Sequence, residues 1–415
     1  MNVSQVTEGS LHKMPTEEDD MKKPLSIVLF SCVLLMLLLS VGFVCANRAA
    51  AETKTLKIGQ ITSITGPMGF TMKTGLEAVK PAQELMNQRG GITVQGQKYL
   101  IEIVTEDDQS TPPGGVAAIN RLMQGGVKFI IAPQFAPINM AIAGIAEENK
   151  IFRMKSMGIG KDEIGPTTRY MFYGTATTLS IPVCYDFLVK NYPKAKRIAI
   201  ICPDDPGIKT NIEVAEKEAR KRGLDIVFQE AFRVGTEDFY PTLTKAFEKK
   251  PDAIDMVVSI APWAASLVNQ ARELGFTGPV FAPMLGEISI LNSLLDPKNA
   301  HDVFHGGAYV LSPKMKPMMK EYRAIVEKDL KTTFTMDHTV ILEGLYPLLQ
   351  GIEKAQSFDT DKVVAAMESM KAVDTIYGPG RVGGQELFGI NHVIYRPPMI
   401  SRIMNGQIEF DFIKQ

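Results

Sequence analysis

Residues 101–133 read IEIVTEDDQSTPPGGVAAINRLMQGGVKFIIAP. The run Tyr99–Val104 that leads into them is a strand, Val116–Met123 is a helix, and VKFIIA at 127–132 is a second, almost wholly apolar strand. Two strands joined by a helix pair in parallel, and a strand without alternation is covered on both faces. This unit predicts an α/β protein with helices on both sides of its sheet.

The pattern extends both ways. Upstream, Leu56–Ile61 is a strand ending in the loop Thr65-Gly66-Pro67-Met68-Gly69. A helix follows, with Leu76, Val79, Leu85 and Met86 on one face and Gly90-Gly91 as its stop. Downstream, Ile138–Glu148 is helical. After Gly174 the alternation restarts: helix Leu179–Asn191, strand Arg197–Cys202, helix Ile212–Arg222, strand Leu224–Phe228, helix Asp238–Glu248, strand Ala253–Ile260, helix Trp263–Leu274 and a short strand from Val280. Two α/β blocks result, 54–172 and 175–305. A more helical stretch (Lys316–Leu330, His338–Ala355, Asp361–Met370) and short strands near Asn391–Tyr395 and Ile400–Met404 complete the chain. Pro133, Pro203 and Pro262 end or follow strands. Proline terminates strands in any case, but the carboxyl ends of parallel strands are also where open α/β sheets bind ligands.

The chain has 415 residues, enough for two or three domains, with 45% hydrophobic and 22% charged residues. Those are globular values and exclude a disordered or fibrous chain. Lys plus Arg is 45 against 46 Asp plus Glu, a net charge of -1. Such a balance offers no field to draw a polyanion, so no nucleic-acid partner is expected.

The N-terminus differs. Pro24–Asn47 holds no charged residue, Lys22-Lys23 precede it and Ala49-Ala50-Ala51 follow. A positive start, an apolar run and a small-residue site predict a signal peptide over 1–51, cleaved near Ala51, and a periplasmic mature protein. The alternative is a membrane anchor, since Leu25–Cys45 is long enough to span. The acidic residues Glu17, Glu18, Asp19 and Asp20 are foreign to an export signal and point to a start at Met21. Val44 before Cys45 is too large for a lipidation site. Cys184 and Cys202 remain in the mature chain, either paired in an oxidising compartment or as buried thiols.

Signals for catalysis do not converge. His301 and His305 have a metal-ligand spacing, but no further ligand completes a set. Gly378–Gly383 fits G-x-G-x-x-G without the strand before it and the helix after it that a dinucleotide needs. Asp107-Asp108 end a strand, where solvated acids are common. No phosphate-binding loop or nucleophile elbow is present. The reading is not an enzyme, with no metal and no cofactor.

The segments LKIGQITSITGPMG (56–69), GLEAVKPAQELMNQRGGI (75–92) and 101–133, continued by RIAIICPDDPGIK (197–209), FRVGTEDFYPTLTKAF (232–247) and LVNQARELGFTGPVF (267–281), resemble the type I periplasmic solute-binding proteins of ABC importers, in their branched-chain amino-acid (Leu/Ile/Val) branch. The resemblance implies two Rossmann-like lobes with parallel central sheets joined by a three-crossing hinge. It implies that a small solute is captured between the lobes and delivered to a membrane permease, by a protein that is a monomer. The lobes would be 52–173 plus 309–377, and 174–308 plus 378–415, with crossings near Tyr173-Gly174, Gly306–Tyr309 and Tyr377–Gly380.

Carried onto this sequence, the ligand-binding positions are Phe70 and Thr71 after the first strand, Gln134, Phe135 and Ala136 after VKFIIA, and Met157, Gly158 and Ile159 in the next turn. Trp263 and Met284 come from the other lobe. Amino-acid binders place hydroxyls where Ala136 and Ile159 stand and an acid near Met284; here the nearest acid is Glu287. Burying an ammonium or a carboxylate unpaired costs several kcal/mol. The expected ligand is therefore more apolar and less zwitterionic than leucine: an aromatic or apolar acid, or an amide. A ligand-sensing module acting through a separate signalling partner is the alternative function.

Overall fold

The structure, a computed structural model, describes residues 54–156, 162–174, 180–204 and 208–413. Two sheets organise it. The first has nine strands in the spatial order Val373–Thr375, Gly378–Gly383, Val393–Tyr395, Met171–Tyr173, Phe152–Lys155, Phe129–Ile131, Lys54–Thr62, Gln97–Asp107 and Ile92–Val94. From Val393 to Gln97 the neighbours are parallel, and only the edges are antiparallel. The second has seven, in the order Gln407–Phe412, Met399–Met404, Val303–His305, Val280–Phe281, Ala253–Asp255, Arg197–Pro203 and Asp225–Phe232, parallel apart from its last two strands in sequence.

Each sheet is covered on both faces, as its apolar strands require. One face of the first packs Phe129, Phe152 and Phe172 against helices Val79–Gln88, Pro317–Leu330 and Val340–Ala355. The other packs Ile61, Ile130 and Ile151 against Pro112–Gln124 and Ala136–Glu148. The second sheet divides its core in the same way, with Ala199, Ile201 and Ile254 on one side and Ile198, Ile200 and Phe281 on the other. Cys184 and Cys202 are buried free thiols, so the pairing alternative is not realised. Among the described residues no helix is long and apolar enough to cross a membrane; residues 1–53, with the predicted signal, lie outside them.

The chain passes between the sheets three times. It leaves the first after Tyr173, returns through 306–309, and leaves again after Tyr395. The last passage corrects the expected lobe boundary. Gly378–Gly383 pairs with Val393–Tyr395, which pairs with Met171–Tyr173, so 378–395 belong to the first lobe. The third crossing is Arg396–Pro398, not Tyr377–Gly380. Cross-strand bonds hold Gly378–Gly383 as a strand between Val373–Thr375 and Val393–Tyr395. Gly380 is required there, because a Cβ would sit 2.4 Å from the Tyr395 carbonyl oxygen. Backbone also crowds the first crossing, where a Cβ on Gly174 would lie 2.2 Å from the Glu343 carbonyl oxygen.

Candidate functional site

The predicted ligand positions among the described residues lie on loops, helix starts and a short strand that follow strands of the two lobes, where open α/β sheets expose backbone donors. In the first lobe the loop after Lys54–Thr62 is shaped by the two acids 107 and 108. Asp107 Oδ1 accepts from the amides of Ile64 (2.9 Å), Thr65 (3.2 Å) and Gln109 (2.8 Å), and its Oδ2 accepts from Thr65 Oγ1 (2.6 Å). These hydrogen bonds hold its carboxyl below the ordinary range, although burial acts against them. Asp108 accepts from Ser63 Oγ (2.6 Å) and the Ser110 amide (2.8 Å), with burial raising its carboxyl. The pair is a scaffold for the 63–69 loop.

That loop delivers helix Gly69–Glu77, which buries none of its residues. Phe70 at its start is 90% exposed, and Thr71 is exposed beside it. Both lie on this helix, after the loop that follows strand Lys54–Thr62. The next loop is Gln134-Phe135-Ala136. Gln134 Nε2 reaches back to the Ala132 carbonyl (3.2 Å), Phe135 is the N-cap of helix Ala136–Glu148, and Ala136 is its first residue. No side chain caps this helix. In its first turn the amides of Ala136 and Ile138 have no intrahelical acceptor, and Pro137 has no N–H. The adjacent helix Pro112–Gln124 is closed, because Thr111 Oγ1 accepts from the Gly114 amide (3.0 Å). An open helix start at a sheet's carboxyl edge suits a carboxylate.

Met157, Gly158 and Ile159 lie outside the described residues. Immediately before them, Ser156 is fully buried, and its hydroxyl has no partner among the described residues. The sequence reading passed over Ser156, although its place directly after Phe152–Lys155 was the available signal. Behind it, Lys155 Nζ donates to both oxygens of Glu163 (2.8 and 2.6 Å), and Asn139 Nδ2 donates to the same carboxylate (2.7 Å). Burial pulls the Lys155 ammonium below its usual range while Glu163 pulls it back.

In the second lobe, strand Ala253–Asp255 is broken before it reaches the edge. Asp255 Oδ1 accepts from the Val257 amide (2.7 Å) and Oδ2 from the Tyr185 hydroxyl (2.8 Å), while Val257 takes φ 55. The turn starts the short strand Val258–Ser259, which pairs with Met284–Leu285. Met284 is thus a half-buried strand residue. Trp263 lies in the first turn of helix Ala261–Glu273, which also lacks a side-chain cap. Its ring meets Phe232 edge to face, 5.7 Å between centroids, so the indole is partly spent on packing.

Glu287 is the acid on which amino-ligand binding would turn. It caps helix Ile288–Leu294, accepting from the Ser289 amide (3.4 Å) and hydroxyl (3.1 Å). Its other oxygen accepts from the Met336 amide (3.2 Å), which belongs to the first lobe. The carboxyl is 6% exposed and raised by burial. Both of its oxygens already have donors, and one bond joins the two lobes.

Residues 55–396 match the periplasmic binding protein family, and the chain belongs to that family, a solute-binding one rather than an enzyme. A relative in Brucella melitensis, Leu/Ile/Val-binding protein homolog 3, is 26% identical over 355 residues, covering 83% of this chain and 92% of its own. A leucine-binding protein from Thermotoga maritima has a similar structure (TM-score 0.66, 21% identity, 86% of this chain and 98% of that one). So does a solute-binding protein of an ABC transporter from Rhodopseudomonas palustris in complex with 3,4-dihydroxybenzoic acid (TM-score 0.64, 21% identity, 86% and 96%).

Proposed function

We propose that this protein is the substrate-binding component of an ABC importer, exported to the periplasm by residues 1–51. It captures a small apolar or aromatic monocarboxylate between its lobes and presents it, as a monomer, to a membrane permease. The observation that carries the ligand class is the asymmetry of the site. The first lobe offers an uncapped helix start at Phe135-Ala136 for a carboxylate, while the second lobe's nearest acid, Glu287, already accepts from Ser289 and Met336. A carboxylate is thereby matched and an ammonium is not. Phe70, Phe135, Trp263 and Met284 supply apolar surface for the rest of the molecule, and aromatic rings suit a flat one.

The family supports the capture step. The relatives named for leucine, isoleucine and valine, and the neighbour that holds a dihydroxybenzoic acid, bracket the range of solutes. Asp337, next to Met336 on the first lobe, is the acid that the sequence reading did not weigh, and it is the group through which a zwitterion would be held instead. A thermal-shift screen over amino acids, aromatic acids and amides tests the reading. A ligand at 100 times its Kd adds about 2.7 kcal/mol of stability. The monoacids should shift the transition and the amino acids should not; the reverse pattern would overturn the ligand class and leave the transport role standing.

A further inference from the structure

A cavity of about 880 Å³ lies beside the crossings and is lined by none of the predicted ligand residues. Both lobes wall it. Helices Ser180–Asn191 and Lys209–Lys221 belong to the second lobe, segment 381–391 to the first, and Arg396–Pro398 passes between them. Its charge is lopsided. Lys190, Lys217, Lys221 and Arg381 line it without an ion pair among the described residues, against one such acid, Glu386. Arg222 in the same wall is matched by Asp186 and Glu218. Lys217 and Lys221 are four residues apart on one helix and repel each other, an arrangement that an external anion relieves. Arg381 rests on the ring of Tyr395, 4.1 Å from its centroid, which fixes the guanidinium plane at the wall.

Arg396 connects this cavity to the hinge. Its Nη2 donates to Ser180 Oγ and to the Gly306 carbonyl, both at 3.2 Å. One guanidinium on the third crossing thus grips the second crossing and the residue at which the first re-enters helix. Both acceptors are neutral, and both bonds lie at the long end of the normal range. An anion in the cavity offers the same guanidinium a charged acceptor, which is the stronger partner.

We propose that this cavity is a second binding site, for a small, multiply charged anion, and that its occupation is coupled to hinge motion through Arg396. The volume suits a small molecule rather than a chain. The net charge of -1 gives no wide field for a polyanionic macromolecule. An occupant touching both lobes has different contacts in the open and closed forms, so it shifts their balance, and the coupling is reciprocal. None of this depends on which solute enters the cleft.

Calorimetry of the exported protein with inorganic pyrophosphate and with citrate, at low salt and without cleft ligand, tests the site. The comparison protein is K217E/K221E, whose two changes are at exposed helical positions; its circular dichroism and melting temperature establish that it is folded. At least one probe should saturate below about 10 mM, and the reversal should weaken it about tenfold or more. Pyrophosphate alone binding assigns a phosphorylated ligand, and citrate alone a polycarboxylate. Saturation by neither, or equal binding to the variant, overturns the site. X-ray scattering tests the coupling: the bound probe should change the radius of gyration of the wild type and leave K217E/K221E unchanged. An unchanged radius with the probe bound overturns the link to the hinge.

Discussion

In the first lobe, strand Phe152–Lys155 carries Arg153 and Lys155 into the interior, 0% and 1% exposed, and each meets a carboxylate: Glu147 at 3.2 Å and Glu163 at 2.6 Å. In the second lobe Asp255 is just as buried and meets only a tyrosine hydroxyl and a backbone amide. A buried charge with a charged partner stays ionised. A buried carboxyl with neutral donors holds its proton, and burial pushes Asp255 up to about 7. The first lobe thus buries a permanent ion pair at the end of strand Phe152–Lys155, and the second lobe buries, at the end of strand Ala253–Asp255, a group that titrates near neutrality.

Breaking the ion pair has the largest expected effect. Lys155→Met takes the Lys155 ammonium from the buried Glu163 carboxylate and should cost about 3–5 kcal/mol in urea unfolding, whereas Lys155→Met with Glu163→Leu should recover most of it. Equal losses in the single and the double variant would mean that the pair matters only for packing.

The second lobe should instead respond to pH. The unfolded Asp255 carboxyl releases its proton near 3.8 and the folded one near 7. Between these values the folded state binds the extra proton. Stability contributed by this group is therefore present below the lower value and lost as pH rises to the upper one, by about 4 kcal/mol at most. Asp255→Asn should flatten that slope in pH-dependent denaturation; an unchanged slope would locate the titration elsewhere.

Two smaller effects compare the helix starts. Phe135→Asp fills the open start of Ala136–Glu148 with a carboxylate. It should weaken an acidic ligand by about tenfold or more, while Phe135→Leu keeps affinity within a few-fold. Similar losses in both would make the ring, not the helix start, the determinant. Thr111→Ala opens the closed helix and should cost about 1 kcal/mol of stability with no change in ligand affinity. A loss of affinity would show that the 107–111 scaffold reaches the ligand.

The sequence carried the alternation of strands and helices because Val127–Ala132 and Arg197–Cys202 are almost purely apolar, and such runs have few other places to go. It did not show Phe152–Lys155 as a strand, because Arg153 and Lys155 look solvated until Glu147 and Glu163 are brought beside them by the fold. The strand Gly378–Gly383 was hidden by its glycines, and that moved the expected hinge crossing by nearly twenty positions. Among the candidate site residues, Phe70 and Ala136 came from the family resemblance, and the fold puts both at helix starts beyond strands of the first sheet. The role of Glu287 did not, since its partner Met336 is 49 residues away and in the other lobe.

Calorimetry with free leucine and with 4-hydroxybenzoate on the same sample tests the central claim that the cleft matches a carboxylate without an ammonium. A micromolar or tighter Kd is expected for the hydroxybenzoate and a Kd at least about a hundredfold weaker for leucine. A sub-micromolar Kd for leucine would contradict it and assign the ammonium to Asp337 or to a released Glu287.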